Sequence, residues 1–291
     1  MLEIKGLNKS FGSNLVLKDI NLDIEGNKIY GLLGRNGAGK TTLLNLISSQ
    51  LIRNSGDIKY QGEEIFENSK AIEDMCLVKP LPESSKDKKV RDIFTMARLM
   101  YKNWDESYKE QLISEFNLNT NKRLQKLSAG NKTIVGLIIG LASRAKLTIF
   151  DEPTLGLDAA MRYMFYNSLL KDYETNPRTV IISTHLIDEL ANLFEEVIIL
   201  NSNMITLKDE VSNLRERSYF LSGNGDIVNE IVKNRKILYR EELGSTMIVG
   251  IYDNLSENEK REIRSRNIEI STIPLQKLFV FLTEGTLGEV M

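Results

Sequence analysis

Gly34-Arg35-Asn36-Gly37-Ala38-Gly39-Lys40-Thr41-Thr42 is the stretch from which the rest of this chain is read. It fits G-x-x-x-x-G-K-[ST], a phosphate-binding loop. The apolar run Ile29-Tyr30-Gly31-Leu32-Leu33 before it reads as a buried strand, and Leu43-Leu44-Asn45-Leu46-Ile47 after it as the opening of a helix. That is the strand–loop–helix context the motif requires. Glycines let the backbone of Asn36, Gly37, Ala38 and Gly39 curl until successive N–H groups converge on an anion. The helix N-terminus adds partial positive charge. In that setting Lys40 reaches the β- and γ-phosphates as a point charge, the Thr41 hydroxyl ligates Mg²⁺, and Thr42 lies at the α-phosphate. The alternative is a Gly-rich turn that binds nothing, and the motifs further along weigh against it.

Leu147-Thr148-Ile149-Phe150-Asp151-Glu152-Pro153 is a second hydrophobic strand, ending in two carboxylates. Asp151 can hold Mg²⁺ opposite Thr41, and Glu152 can polarise the attacking water as a general base. Alone, Asp-Glu-Pro is an ordinary polar turn; downstream of a phosphate loop it is a catalytic candidate. His185, the only histidine, follows the apolar strand 180–182 in Ser183-Thr184-His185. The carboxyl edge of a parallel sheet is where ligands collect, so His185 can hydrogen-bond the γ-phosphate or the water, whereas a lone histidine elsewhere is incidental. Leu127-Ser128-Ala129-Gly130-Asn131 precedes the apolar helix 133–142. Ser128 is a natural N-cap; hydroxyl, glycine backbone and helix N-terminus together also make an anion site, and physics alone favours the plain cap. Phe11, in Lys9-Ser10-Phe11-Gly12, is either a ring for adenine to stack on or a core or turn residue.

Around these motifs the chain alternates. Leu2-Glu3-Ile4 and Leu17 to Ile24 read as strands of an edge sheet, Ile58-Lys59-Tyr60 as part of a hairpin, and Met75 to Val78 as a further strand. Lys79 to Lys89 is a polar, Pro-containing loop. A mainly helical insert follows, roughly 81–144. Strand-like runs resume at 147–150, 180–183 and 197–200 between helical stretches at 159–173 and 186–194, the pattern of a mostly parallel sheet. Past about residue 206 the character changes. Leu207 to Arg217 reads as a short charged helix, and the remainder runs strand, helix, strand, strand, helix, strand, closing helix. That order suits a small ferredoxin-like βαββαβ domain.

The chain of 291 residues, 42% hydrophobic and 27% charged, allows one large domain with an appendage or two domains. Its net charge of -2 leaves no basic footprint for nucleic acid. The single cysteine, Cys76, cannot form an intrachain disulfide. Met1-Leu2-Glu3-Ile4-Lys5 lacks a signal peptide's apolar segment. The longest apolar run, Ile134 to Ala142, is far shorter than a membrane span, so any action at a membrane requires another chain to cross it.

Taken in order, Gly34 to Thr42, Leu127 to Asn131, Leu147 to Glu152, Gly156-Leu157-Asp158 and His185 resemble the ATP-binding-cassette (ABC) ATPase family over roughly residues 1–206. The resemblance implies an α/β P-loop NTPase core with a mostly parallel sheet, a helical subdomain and a separate α+β C-terminal domain at 207–291. It implies ATP and Mg²⁺ as ligands, with Glu152, His185 and Lys40 catalytic. It also implies that Ser128 and Gly130 act in trans on the γ-phosphate held by a partner cassette, that Asp158 lies in the loop joining the two sites, and that Phe11 takes the adenine-stacking position. The partners so implied are a membrane-spanning permease and a second ABC ATPase, identical or different, at the cytoplasmic face of the membrane. Asn103-Trp104-Asp105, Leu127 to Lys132 and Pro274-Leu275-Gln276-Lys277-Leu278-Phe279 further resemble bacterial export cassettes associated with GntR-type regulators, exporters of drugs, lantibiotics and amphipathic peptides such as phenol-soluble modulins among them. A soluble cassette protein acting on nucleic acid or ribosomes is the rival reading; a single cassette, no long heptad run and slight acidity speak against it.

The sequence departs from that family at two points. The signature usually reads Leu-Ser-Gly-Gly-Gln; here Ala129 and Asn131 replace Gly and Gln, while Ser128 and Gly130 remain. Where the family has a Gln reaching metal and water, the nearest residue is Lys79, whose ammonium has no acceptor for Mg²⁺. Either Lys79 meets a phosphate directly or that sensing role is moved or lost, with Glu83 a poorer substitute.

Overall fold

The continuous apolar runs form strands with both faces covered. Every residue of Ile29–Leu33 and Thr179–Thr184 is buried, as are the first four of Leu147–Asp151. This is what a parallel sheet with packed faces demands of its middle strands. In the computed structural model, which describes residues 1–284, these strands lie in a six-stranded sheet. Its order is Met204–Glu210, Glu196–Asn201, Ile29–Leu33, Thr179–Thr184, Leu147–Asp151, Met75–Val78. Thr179–Thr184 is parallel to both neighbours, with Leu33 beside Thr184 and Asp151 beside Ser183. The phosphate loop, the two carboxylates and the histidine therefore emerge side by side from adjacent carboxyl ends, where parallel sheets place ligands.

A second, antiparallel sheet runs Asn14–Ile24, Leu2–Phe11, Ser55–Tyr60, Glu63–Glu64. Between the sheets the loop helix Lys40–Ile47 buries Leu43, Leu44, Leu46 and Ile47. They join a core with Ile4, Leu17, Ile20, Ile149 and Ile181. Each such side chain taken out of water contributes about 1.5–3 kcal/mol, so the helix that starts at the phosphate loop is anchored along its length. The helical insert comprises Val90–Met100, Glu106–Glu115 and Ala129–Ala142. Among the described residues no helix is long and apolar enough to cross a membrane.

The chain divides into two units, Met1–His185 with Ile198–Leu207, and Leu186–Val197 with Lys208 onward. The second holds a four-stranded antiparallel sheet in the order Ile237–Leu243, Thr246–Tyr252, Ser218–Asn224, Glu269–Thr272. Alternation along Ser218–Asn224 sends Tyr219 and Leu221 into a core with Val228 and Val232 of Gly225–Val232 and Ile263 of Glu257–Ser265. Phe220 instead meets Tyr239 and, from the helix Leu275–Glu284, Phe281, with ring centroids 6.1 and 6.2 Å away.

Two expectations are corrected. The helix expected at 186–194 is the short Ile187–Leu190. The helix expected from Leu207 starts only at Val211, because Met204–Glu210 is a strand. Its half-buried Ile205, Leu207 and Asp209 alternate with exposed residues at the sheet's edge. Charged side chains are common on such edges, where they block pairing with another chain; in sequence they look like the polar face of a helix.

Candidate active site

The loop helix starts without help from its own side chains. Its N-cap is Gly39, at φ +104°, with no side-chain cap and no acidic residue in the first turn. Elsewhere Asn68, Asp105, Ser128, Asp158, Asn224 and Ser256 each cap their helices through a side-chain oxygen. A Cβ on Gly39 would lie 2.9 Å from Leu17 Cδ2 and 3.0 Å from the Val16 carbonyl oxygen. Only glycine fits there, and a helix N-terminus left open in this way is an anion site. Within the loop, the Ala38 amide donates to the Arg35 carbonyl at 3.1 Å; Asn36 and Gly37 are exposed. Lys40 is buried, 7% exposed, and its Nζ donates to the Gly34 carbonyl at 2.7 Å. Thr41 is exposed and Thr42 half-buried on the helix's first turn.

Glu152 links the strands' ends. Its Oε1 lies 3.5 Å from Lys40 Nζ and its Oε2 2.8 Å from His185 Nδ1. Its backbone is left-handed, φ +49°, and its amide donates to the Ser183 carbonyl at 3.2 Å and the Ser183 hydroxyl at 3.0 Å. That hydroxyl donates in turn to Asp151 Oδ1 at 2.5 Å. Ser183 carries no signal in the linear sequence: its hydroxyl lies beside Asp151 in register, which needs the strand order to be seen. An ammonium, two hydroxyls and open amides suit a polyphosphate. The Asp151 carboxylate with the Thr41 hydroxyl suits a hard cation that also draws oxygens from phosphate. The residues present thus fit Mg²⁺ with a nucleotide.

The other candidates fall into separate places. Ser128 is an N-cap, its Oγ accepting from the Asn131 amide at 3.2 Å. A Cβ on Gly130 would lie 2.8 Å from the Gly156 carbonyl oxygen. Thr133 Oγ1 donates to the Leu155 carbonyl at 2.9 Å, and Asp158 Oδ1 caps its own helix by accepting from the Met161 amide at 2.9 Å. The stretches 128–133 and 154–158 therefore form one packed cluster, joined to the base candidate through the backbone, since the Leu155 amide donates to the Glu152 carbonyl at 3.2 Å. Lys79 donates to Asn45 Oδ1 at 3.2 Å and to Gln50 Oε1, and Asn45 Nδ2 donates to the Thr41 carbonyl at 2.7 Å. Lys79 is thus tied to the flank of the loop helix. Phe11 is 50% exposed, so the core alternative fails, and the Lys9 ammonium sits 4.9 Å from its ring centre. A further charged group sets the carboxylates of the buried Asp172 and of Asp105 against the guanidiniums of Arg144 and Arg178, and burial pushes the Arg178 guanidinium below its ordinary value.

Comparison with known proteins gives the family. Residues 17–155 match the ABC transporter family model. The chain is 27% identical to the ABC transporter ATP-binding protein YtrB of Bacillus subtilis over 96% of this chain and 97% of that one. That match runs through the second unit as well as the first. It is 30% identical to the lantibiotic transport ATP-binding protein SrtF of Streptococcus pyogenes over 72% of this chain and 91% of SrtF. Among solved structures, an ATP-binding subunit of an ABC transporter superposes with a TM-score of 0.66 at 22% identity, over 74% of this chain and 92% of that one. With the phosphate loop, the paired carboxylates and the histidine on neighbouring strand ends of such a cassette, the chain belongs to the ATP-binding subunits of ABC transporters.

Proposed function

We propose that this chain hydrolyses ATP with Mg²⁺ to drive export of amphipathic or antimicrobial peptides, or of drugs, through a separate membrane-spanning permease. In this reading it is peripheral to the cytoplasmic face of the membrane and closes on a second ABC ATPase, a copy of itself or a different cassette. The observation that carries the reading is the Glu152 carboxylate held between Lys40 at 3.5 Å and His185 at 2.8 Å. Glu152 orients the attacking water and accepts its proton. Lys40 neutralises charge on the transferring phosphoryl group. An incoming γ-phosphate competes with Glu152 for Lys40, which releases the carboxylate for its work as base. His185 steadies Glu152 by donating from Nδ1, which leaves Nε2 to accept from the attacking water or, on a ring that carries both protons, to donate to the phosphate. Mg²⁺, held by Asp151 and Thr41, would draw charge from the phosphate oxygens. The exposed Ser128 with Gly130 would meet a partner's γ-phosphate, with Asp158 in the connecting loop and Phe11 against adenine. Lys79 would act through Asn45 on Thr41. Transport of an antimicrobial peptide is supported by the relative named for lantibiotic transport. Residues 207–291 are read as a ferredoxin-like accessory domain, on the element order strand, helix, strand, strand, helix, strand.

Glu152→Gln tests the assignment. It keeps the side chain's shape and removes the base, so ATP affinity stays within a few-fold while phosphate release falls by about 10²–10⁴-fold. Equilibrium nucleotide binding and a phosphate-release assay on the same preparation read both. Wild-type turnover in this variant would sink the base assignment.

A further inference from the structure

We propose that Ser183 is a positioning residue of the ATPase site, setting the metal-binding carboxylate and the catalytic carboxylate at a fixed relation to each other; this rests on the ATPase reading above. Ser183 is fully buried at the next-to-last position of Thr179–Thr184. Its hydroxyl has two partners on the neighbouring strand's end. It donates to Asp151 Oδ1 at 2.5 Å and accepts from the Glu152 amide at 3.0 Å. The first bond fixes the rotation of the Asp151 carboxylate and leaves its other lone pairs, both of Oδ2's among them, to a cation. The second bond, with the Ser183 carbonyl at 3.2 Å, holds Glu152 in a left-handed backbone conformation, φ +49°, that a non-glycine residue keeps only when its surroundings enforce it. One hydroxyl thus links the bend that aims the base to the carboxylate that meets the metal. Groups that orient a metal's ligand govern affinity and rate although they never touch the metal.

Removing the hydroxyl leaves the Glu152 amide with the Ser183 carbonyl, so Ser183→Ala retains an acceptor at the bend. The test measures affinity for a non-hydrolysable ATP analogue, with Mg²⁺ and with EDTA, on the full chain, alongside steady-state hydrolysis and thermal melting. The expected result for Ser183→Ala is an unchanged affinity in EDTA and a gain from Mg²⁺ that is smaller by about tenfold. Turnover falls by about 10–100-fold, mostly in kcat rather than KM. Ser183→Thr, which keeps a hydroxyl, restores the Mg²⁺ gain. The proposal is overturned if Ser183→Ala matches wild type in both the Mg²⁺ gain and kcat. It is equally overturned if affinity in EDTA and melting temperature fall together with kcat, since that marks loss of packing alone. A wild-type chain whose analogue affinity ignored Mg²⁺ would instead sink the ATPase reading beneath it.

Discussion

The helices Lys40–Ile47 and Glu257–Ser265 begin with the same unpaired N–H groups and treat them in opposite ways. At the second, Ser256 Oγ accepts from the Glu259 amide and Glu259 Oε2 accepts from the Ser256 amide at 2.8 Å, a complete capping box. Arg235, itself bonded to Asp253, adds a contact of 2.8 Å to Glu259 Oε1. At the first, Gly39 offers no side chain at all. A cap contributes about 1 kcal/mol, so the phosphate-loop helix forgoes a contribution that the other secures. Val90–Met100 and Val211–Arg217 also begin without a side-chain cap, so what sets the first end apart is the missing cap together with the glycine loop before it and the buried Lys40. A ligand that binds only the folded chain returns stability in proportion to its concentration over its dissociation constant.

The most damaging way to break the contrast is to give the open end a side chain. Gly39→Ala places a methyl 2.9 Å from Leu17 Cδ2 at a φ of +104°. Strain of about 1–3 kcal/mol is expected, together with a loss of ATP affinity of about tenfold or more as the loop shifts. Thermal melting and nucleotide titration measure the two effects. Unchanged affinity in a folded Gly39→Ala variant would mean that the open N-terminus is not where the phosphates sit.

The same contrast explains how much could be read beforehand. Gly34 to Thr42 and Asp151-Glu152 stand out in the sequence because each candidate site is a contiguous run, whose spacing is itself the geometry. His185 is legible through its place after a strand. What the linear sequence hides is anything that depends on which strands are neighbours. Thr179–Thr184 lies between Ile29–Leu33 and Leu147–Asp151, and only that order brings Ser183 to Asp151 and His185 to Glu152. Lys79 is visible as a departure from the family, yet its partners, Asn45 on the loop helix and Gln50 just past it, lie 34 and 29 positions away. Leu207 to Glu210, the end of the edge strand Met204–Glu210, read as helix because an edge strand carries charges that also suit a helix's outer face.

The capped end supplies smaller and purely structural tests. Ser256→Ala removes the hydroxyl that accepts from the Glu259 amide. It should lower stability by about 1 kcal/mol, read as faster amide exchange over 257–265, with ATP hydrolysis unchanged. A fall in hydrolysis would show that this end serves more than the fold.

Glu259→Gln is subtler, because a glutamine oxygen can still accept from the Ser256 amide and keep the box without its charge. What it removes is a pH dependence. The Glu259 carboxyl is held down from 4.5 to about 2, chiefly by the Ser256 hydroxyl, then by Arg235 and the Ser256 amide. A carboxyl whose folded value lies below its unfolded one stabilises above the unfolded value, and that contribution is lost as pH falls toward the folded value. Its side chain is 41% exposed, so solvent screening limits the contribution to below about 1 kcal/mol. The difference between wild type and Glu259→Gln in amide exchange over 257–265 should therefore be present at neutral pH and shrink steadily between pH 4.5 and about 2. A difference independent of pH over that interval would show that the box holds by shape alone, with the charge of Glu259 and its pairing to Arg235 contributing nothing.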